Sequence, residues 1–217
     1  MTRRGRLRGV RKRVDGGRDQ PLAYVALGDS YTIGTSVAEA DRWPNQLVAR
    51  LPAGVLRLVA NLAVNGYTSA DVISAELPQL AALRPGFATL LVGVNDVVQG
   101  VSAQAFRERA ATILDAILDR LPANRIVAVS TPDYTVTPEG ARYGDPDTQR
   151  AAIVRTNATL TELAATRDIA VVDVFDLSRR VANERNLVST DGLHPSGAQY
   201  RLWVDRMAPV VERLLAD

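Results

Sequence analysis

Residues 22–30 read LAYVALGDS, an apolar run that ends in a glycine, a carboxylate and a hydroxyl. Continuous apolar runs of this length suit strands that are buried on both faces, as in a parallel sheet, so we predict a strand over Leu22–Leu27. The glycine and the polar residues after it predict a tight turn into a helix. Such a turn exposes the Ser30 hydroxyl at the edge of the sheet, near a helix N-terminus where developing negative charge is favoured.

Four further apolar runs alternate with amphipathic stretches along the chain. The predicted strands are Leu56–Ala60, Phe87–Val92, Arg125–Ser130 and Ile169–Val174. The predicted helices, in which apolar residues recur at helical spacing, are Arg42–Leu51, Ala70–Leu83, Ala103–Leu121, Thr148–Thr166 and Gly197–Leu215. Alternating strands and helices of this size require right-handed crossovers and form a doubly wound sheet. We therefore expect one α/β domain with three α/β/α layers and a central parallel sheet of about five strands.

The composition excludes several classes of protein. Of 217 residues, 47% are hydrophobic and 23% are charged, as in ordinary soluble globular proteins. No apolar run approaches the roughly 18 residues of a membrane span. The absence of cysteine excludes disulfide scaffolds, thiol nucleophiles and iron–sulfur clusters, and the single histidine excludes a multi-histidine metal site. No phosphate-binding P-loop and no dinucleotide-binding glycine motif occurs, so we expect neither a metal nor a cofactor.

Charge is unevenly distributed between the N-terminus and the body of the chain. Residues 1–20 contain eight basic side chains against Asp15 and Asp19, which leaves 18 of the 26 basic and 22 of the 24 acidic side chains in residues 21–217. We expect a disordered basic tail over residues 1–20 and a folded domain over residues 21–217. The tail is able to touch nucleic acid or an anionic membrane, but we expect no obligate nucleic-acid partner. It lacks the apolar stretch of a secretory signal, so we expect a cytoplasmic protein.

Polar residues follow the predicted strands at their carboxyl ends, where function gathers in doubly wound sheets. Ser30 follows the first strand, Asn65 and Gly66 follow the second, and Asn95 follows the third. Each group alone is typical of an ordinary turn. Together they place a hydroxyl, a carboxamide and a glycine at one edge of the sheet. The glycine lets the backbone approach a ligand closely.

The only histidine, His194, lies just before the last predicted helix and three residues after Asp191. A carboxylate at this offset accepts a hydrogen bond from Nδ1–H, which fixes the tautomer and leaves Nε2 to act as a base. A lone histidine is more often structural than catalytic. The catalytic interpretation of Asp191 and His194 therefore depends on the polar groups predicted at the same edge of the sheet.

Four short blocks, taken in order, resemble those of the SGNH (GDSL) hydrolase family. The matching residues are Gly28-Asp29-Ser30, Gly66, Gly93-Val94-Asn95-Asp96 and Asp191-Gly192-Leu193-His194-Pro195. The resemblance extends from Tyr24 to about Tyr200 and implies the flavodoxin-like α/β fold of that family. The α/β-hydrolase motif Gly-x-Ser-x-Gly is excluded, because the second residue after Ser30 is threonine.

The resemblance implies a serine esterase of the lipase type, with a catalytic triad and an oxyanion hole. In this interpretation Ser30 is the nucleophile, His194 is the general base and Asp191 orients the histidine. The oxyanion donors carried over from the family are the backbone N–H groups of Ser30 and Gly66 and the side-chain amide of Asn95.

Four residues are predicted to shape the substrate pocket. Tyr31 stands where the family often has leucine, and Val94 stands where glycine is frequent. Tyr134 and Tyr143 belong to the long irregular segment Thr131–Asp147. Segments of that length are uncommon unless they cover or shape a site.

Four other carboxylates lie near the same edge of the predicted sheet. Asp29 and Asp96 belong to the matching blocks, and we assign them structural roles in the turns after the first and third strands. Asp173 and Asp176 follow the last predicted strand and remain alternatives for the residue that orients the histidine.

The expected reaction is hydrolysis of a carboxylic ester through an acyl-enzyme, with a small ester or a lysophospholipid as substrate. A carbohydrate O-deacetylase or an acyltransferase would use the same residues and is the first alternative. A non-catalytic binding module on the same fold is an alternative of another class. The sequence leaves the acyl group, the alcohol group and the oligomeric state open.

Overall fold

The computed structural model describes residues 20–216, so all but the last residue of the predicted tail over residues 1–20 lies outside the described residues. Its strands are β1 Leu22–Gly28, β2 Leu56–Asn61, β3 Phe87–Leu91, β4 Ile126–Val129 and β5 Ala170–Val172. They form one parallel sheet in the order β2-β1-β3-β4-β5. The predicted α/β fold with a five-stranded parallel sheet is therefore confirmed.

Helices connect the strands and cover both faces of the sheet. The α-helices are α1 Ser30–Ile33, α2 Trp43–Arg50, α3 Ser69–Asp71, α4 Leu80–Leu83, α5 Val94–Val98, α6 Ala103–Leu118, α7 Pro146–Ala165, α8 Phe175–Arg179 and α9 Gly197–Ala216. Short 3₁₀ helices lie at Glu39–Asp41, Leu77–Gln79, Ala123–Arg125, Tyr134–Val136, Gly140–Tyr143, Arg180–Ala182 and Arg185–Leu187. Within residues 20–216, no helix combines the length and the apolar character needed to cross a membrane.

Apolar side chains on the two faces of the sheet form two separate cores. Tyr24 and Ala26 of β1 face the core that contains α2, α8 and α9, whereas Val25 and Leu27 face the core that contains α6 and α7. Because successive side chains of a strand point to opposite faces, one apolar run supplies both cores. The three α/β/α layers follow from this arrangement.

The prediction of one continuous helix over Ala70–Leu83 is wrong. The chain instead runs through α3, a π-helical turn at Val72–Glu76, a 3₁₀ turn at Leu77–Gln79 and α4. Pro78 explains the interruption, because proline has no N–H to donate to the carbonyl four residues earlier and its ring clashes with that carbonyl.

The N-terminus of α7 also differs from the prediction. The helix begins at Pro146 rather than at Thr148, because the Asp145 side chain accepts a hydrogen bond from the Thr148 N–H at 2.9 Å and so caps it. Proline suits the first position of a helix, where its missing N–H has no partner to lose. This cap ends the long irregular segment that carries Tyr134 and Tyr143.

Candidate active site

A cavity of about 210 Å³ lies at the carboxyl edge of the sheet, beside the ends of β1 and β3. It is lined by the predicted residues Ser30, Tyr31, Gly66, Val94, Asn95, Tyr134, Tyr143 and His194, and also by Asn65, Val98 and Leu193. Apart from Asp191, which lies against His194, every predicted site residue thus lines one cavity. Among the described residues, no cluster of three or more His, Cys, Asp or Glu side chains that could hold a metal ion is present.

A tight turn carries Ser30 from the end of β1 into the first position of α1. Gly28 has a φ of +147°, and a Cβ added there would lie 2.1 Å from the carbonyl oxygen of Leu91, so only glycine fits. The Asp29 side chain caps α1 by accepting a hydrogen bond from the Tyr31 N–H at 3.0 Å. This contact agrees with the structural role predicted for Asp29.

Burial sets the ionisation of Asp29. Complete burial raises the pKa of its carboxyl to about 7, although the hydrogen bond from the Tyr31 N–H acts in the opposite direction. Repulsion from the buried carboxylate of Asp96 adds to the increase. The turn that holds Ser30 therefore rests on a carboxyl whose charge changes near neutral pH.

Three N–H donors belong to the lining of the cavity: the backbone N–H groups of Ser30 and Gly66 and the side-chain amide of Asn95. No hydrogen bond occupies the backbone N–H of Ser30 or of Gly66 in the part of the chain that the structure describes. The Asn95 side chain donates one N–H to the Tyr67 carbonyl at 2.8 Å, which orients the amide and leaves its second N–H for another acceptor. All three groups belong to residues that line the cavity.

The turn after β3 holds Asn95 through its neighbour Asp96. The buried Asp96 carboxylate accepts hydrogen bonds from the Ser69 N–H at 2.9 Å and from the Ser69 hydroxyl at 2.5 Å. Arg109 lies 3.8 Å from the same carboxylate. Asp96 thus ties α5 to α3, which agrees with the structural role predicted for it.

Asp191 holds the histidine ring in one orientation. Its Oδ2 lies 2.7 Å from His194 Nδ1, and because a carboxylate only accepts, Nδ1 carries the proton and Nε2 is left as the base. Its Oδ1 accepts hydrogen bonds from the Ser189 hydroxyl and from the N–H groups of Leu193 and His194, at 2.7–3.0 Å. Partial burial acts to raise the pKa of Asp191, but the hydrogen bonds it accepts outweigh burial and hold that pKa well below its ordinary value.

The two alternative carboxylates have other partners. Asp173 accepts hydrogen bonds from the Ser130 hydroxyl at 2.6 Å and from the Phe175 N–H at 2.9 Å. Asp176 pairs with the guanidinium of Arg206. Neither lines the cavity, so the geometry favours Asp191 as the group that orients the histidine.

Ser30 and His194 face the same cavity from different elements. Within residues 20–216 no hydrogen bond joins the Ser30 hydroxyl to the histidine ring, and in substrate-free sites such contacts are often long and tighten when substrate binds. The Tyr31 ring packs on the imidazole with ring centroids 5.1 Å apart. The Trp43 indole N–H in turn donates to the backbone carbonyl of Tyr31 at 3.1 Å, so the backbone that carries this ring is held.

The segment after α1 also contacts the site, which sequence patterns did not reveal. The Thr35 hydroxyl donates to Asn65 Oδ1 at 2.6 Å, and the Ser36 hydroxyl donates to Asp191 Oδ2 at 2.6 Å. Ser36 adopts a left-handed backbone conformation with a φ of 65°, which is uncommon for a residue other than glycine. Strained residues of this kind cluster at functional sites. Two adjacent side chains therefore link the segment after α1 to two other loops of the site.

Two substitutions of Ser36 should separate the effect of its hydrogen bond on activity from the effect of its backbone strain on stability. Ser36→Ala should lower kcat/KM about 2- to 12-fold, because one net hydrogen bond contributes about 0.5–1.5 kcal/mol. Ser36→Gly should lose the same activity but unfold with a free energy about 1 kcal/mol higher than that of Ser36→Ala, since glycine accepts the left-handed conformation without strain. Ester hydrolysis and urea unfolding of both variants measure these effects. Wild-type turnover in both would show that Asp191 does not depend on Ser36.

A buried carboxyl beside the turn that carries Ser30 was also missed. Glu76 is fully buried, and its Oε2 accepts a hydrogen bond from the Gly28 N–H at 2.9 Å. A signal for it exists in the sequence, because Glu76 lies four residues from both Val72 and Leu80 on the apolar side of the predicted helix. A carboxyl at a core position is rare unless it is paired or functional.

Comparison with known proteins gives the family of this chain and the fold that it shares. The model of the GDSL-like lipase/acylhydrolase family matches residues 26–202. No curated protein matches the chain. Solved structures with the same fold include a lipolytic protein of the G-D-S-L family from Veillonella parvula DSM 2008, with 17% identity, a TM-score of 0.72 and coverage of 88% of this chain and 98% of that one.

Two further solved structures have the same fold. The acetylxylan esterase Axe2 from Geobacillus stearothermophilus has 16% identity and a TM-score of 0.68, with 91% of this chain and 95% of that one covered. The psychrotrophic esterase EstA from Pseudoalteromonas sp. has 16% identity and a TM-score of 0.67, with 90% and 99% covered. At these identities the likeness shows the fold, whereas the family model matches most of the sequence and includes the blocks of Ser30, Gly66, Asn95 and His194. The chain belongs to the GDSL-like lipase/acylhydrolase family.

Proposed function

We propose that this protein hydrolyses carboxylic esters with short acyl groups through an acyl-enzyme formed on Ser30. The observation that carries the proposal is the contact between Asp191 Oδ2 and His194 Nδ1 at 2.7 Å, beside a cavity that Ser30 also lines. This contact holds a proton on Nδ1 and leaves Nε2 as the nitrogen that accepts the proton of a serine hydroxyl, which is the arrangement that activation of a serine requires. The family and the esterases that share the fold support the same class of reaction.

In the first half of the reaction, His194 Nε2 takes the proton of the Ser30 hydroxyl as Oγ attacks the ester carbonyl. The new C–O bond converts the carbonyl oxygen to an oxyanion. The histidine then gives its proton to the oxygen of the leaving alcohol as the ester C–O bond breaks. In the second half, the histidine deprotonates water as its oxygen attacks the acyl carbon. The C–Oγ bond then breaks, and the histidine returns the proton to Ser30 Oγ as the acid leaves. Asp191 stabilises the imidazolium in both halves.

The oxyanion is stabilised by the N–H groups of Ser30 and Gly66 and by the amide of Asn95. The support for this assignment is that both backbone N–H groups have no partner within residues 20–216 and that all three residues line the same cavity. Preorganised donors of this type act where charge develops in the transition state and require no reorganisation during the reaction.

The size of the cavity favours a small ester over a lysophospholipid. Its volume of about 210 Å³ lies below the range of roughly 300–1,000 Å³ that is typical of pockets for drug-sized ligands. Tyr31 and Tyr134 are buried and form fixed walls, whereas Tyr143 is 39% exposed at the rim and packs edge-to-face on Tyr134, with centroids 5.9 Å apart. A short acyl chain fits between these rings, and a long chain requires Tyr143 to move.

The test is hydrolysis of p-nitrophenyl esters from acetate to palmitate. We expect kcat/KM to be highest for the short chains and to fall steeply before palmitate. Tyr143→Ala should move the optimum to longer chains with little change on acetate, because it opens the rim and leaves the buried side chains of Tyr31 and Tyr134 in place. Val154→Ala, which removes an exposed side chain away from the cavity, serves as the control. Fastest hydrolysis of palmitate by the wild type would contradict the assignment of short acyl groups.

A further inference from the structure

Glu76 lies in the apolar core between the sheet and α6, where a carboxyl is out of place. Its neighbours at helical spacing, Val72 and Leu80, are both buried members of that core. Within residues 20–216, no basic side chain pairs with Glu76, and its Oε1 is buried without a hydrogen-bond partner. Burial of an unpaired carboxylate is costly, so the position requires a specific reason.

Among the described residues, the side chain of Glu76 makes one hydrogen bond, and it reaches the turn that carries Ser30. Oε2 accepts the N–H of Gly28 at 2.9 Å, and Gly28 precedes Ser30 by two residues. Gly28 is the last residue of β1, and the pairing of β1 with β2 ends at Ala26, so Glu76 supplies an acceptor for the Gly28 N–H where β2 supplies none. The carboxyl of Glu76 therefore holds the last amide before the turn.

The backbone around Glu76 is irregular in a way that serves this contact. Residues Val72–Glu76 form a π-helical turn, a rare conformation that appears mostly as single turns and often at functional sites. The preceding turn is fixed by Thr68, whose N–H and hydroxyl both donate to the Asp71 carboxylate. The segment contacts β1 on one side and α6 on the other, so Glu76 is held from both directions.

We propose that Glu76 is a positioning residue for Ser30 and that it acts through the amide of Gly28 with its carboxyl in the neutral form. The neutral carboxyl accepts the Gly28 N–H through one oxygen and keeps a proton on the other, so no charge is buried. Loss of this acceptor would leave a buried N–H unpaired and free the turn to shift. The inference rests on the proposed function, because it requires Ser30 to be the nucleophile.

The charges around Glu76 agree with a neutral carboxyl. Burial raises the pKa of Glu76 to about 8. The hydrogen bond from the Gly28 N–H acts to lower this pKa, and repulsion from Asp29 and Asp71 acts to raise it further. Asp29 approaches from the end of β1, and Asp71 approaches from the turn before the π-helical segment. On α6, Arg109 lies 3.8 Å from the carboxylate of Asp96. Above about pH 8, ionised Glu76 would repel Asp29 beneath the nucleophile.

The test compares Glu76→Gln and Glu76→Leu by the rate at which a fluorophosphonate probe modifies Ser30. Glu76→Gln keeps an acceptor for the Gly28 N–H and should react as fast as the wild type at pH 7. Glu76→Leu removes the acceptor and should react about ten- to a hundredfold more slowly, since small displacements of a nucleophile have effects of this size. Glu108→Gln, an exposed change on α6, is the matched control and should react like the wild type.

The pH profile separates positioning from a purely structural role. The wild type and Glu108→Gln should lose reactivity as the pH rises through about 8, and Glu76→Gln should not. Wild-type reactivity of Glu76→Leu at pH 7 would overturn the positioning role. If Glu76→Gln lost reactivity at alkaline pH as the wild type does, the neutral form of the Glu76 carboxyl would be overturned.

A second readout does not depend on the reaction. Because the pKa of Glu76 is higher in the folded chain than in the unfolded one, its contribution to stability is complete below the unfolded value and is lost as pH rises through about 8. The decline of the melting temperature between pH 5 and 9 should therefore be shallower in Glu76→Gln than in the wild type, with Asp29 accounting for the remainder. If the wild type is not modified at Ser30, the proposed function fails, whereas equal declines in the two proteins would overturn the buried neutral carboxyl.

Discussion

Ser30→Ala should lower kcat for p-nitrophenyl acetate by about 10⁴- to 10⁶-fold, as is usual when the nucleophile of a triad is removed. Without Oγ no acyl-enzyme forms, and only binding and the oxyanion donors remain to assist attack by water. Although Ser30 is only 7% exposed, its hydroxyl makes no hydrogen bond to another described residue, so the fold should be unaffected by the change. Ester hydrolysis under steady-state conditions and the melting temperature measure the two effects.

Controls decide whether such a loss reports on chemistry. Ser74→Ala removes an exposed hydroxyl whose only hydrogen bond within residues 20–216 is a weak one to the Asp71 carbonyl at 3.4 Å, so it should keep wild-type activity. Equal melting temperatures for Ser30→Ala and the wild type would exclude unfolding as the cause. If Ser30→Ala retained a tenth of the activity, another group would have to be the nucleophile.

The fold was predictable because its apolar runs are too short for helices and too continuous for half-exposed strands. Successive apolar side chains of β1 and β3 face the two cores in turn. Apolar residues are therefore needed at both the odd and the even positions of these strands. Local interactions that override the pattern were harder to predict. Pro78 breaks a periodic helix, and Asp145 with Pro146 starts α7 earlier than its apolar residues indicate.

The site was predictable to the extent that its residues follow strands. Parallel strands bring their carboxyl ends to one edge, so Ser30 and Asn95 had to lie close together. Ser36 could not be predicted in this way, because its partner Asp191 lies 155 residues further along the chain and a left-handed serine has no local signature. Glu76 violated the apolar pattern of its helix, and such violations are expected at functional or strained sites.

Asn95→Ala should lower kcat about 10²- to 10³-fold with little change in KM, because the amide is needed mainly when the oxyanion forms. The effect is smaller than that of Ser30→Ala, since the N–H groups of Ser30 and Gly66 remain. Gln99→Ala, an exposed change at the C-terminal end of the same helix α5, should leave kcat unchanged. The measurement is steady-state hydrolysis of p-nitrophenyl acetate by the three proteins.

Asn95→Asp distinguishes an oxyanion donor from a residue that only holds the Tyr67 loop. Alanine removes the N–H that reaches Tyr67 along with the one that faces the cavity, so a loss of activity alone does not separate the two roles. Aspartate introduces a negative charge beside the developing oxyanion, and it should therefore reduce kcat further than alanine does. If alanine had wild-type kcat, or if aspartate were the more active of the two, Asn95 would not be an oxyanion donor, and the role would fall to the backbone N–H groups of Ser30 and Gly66.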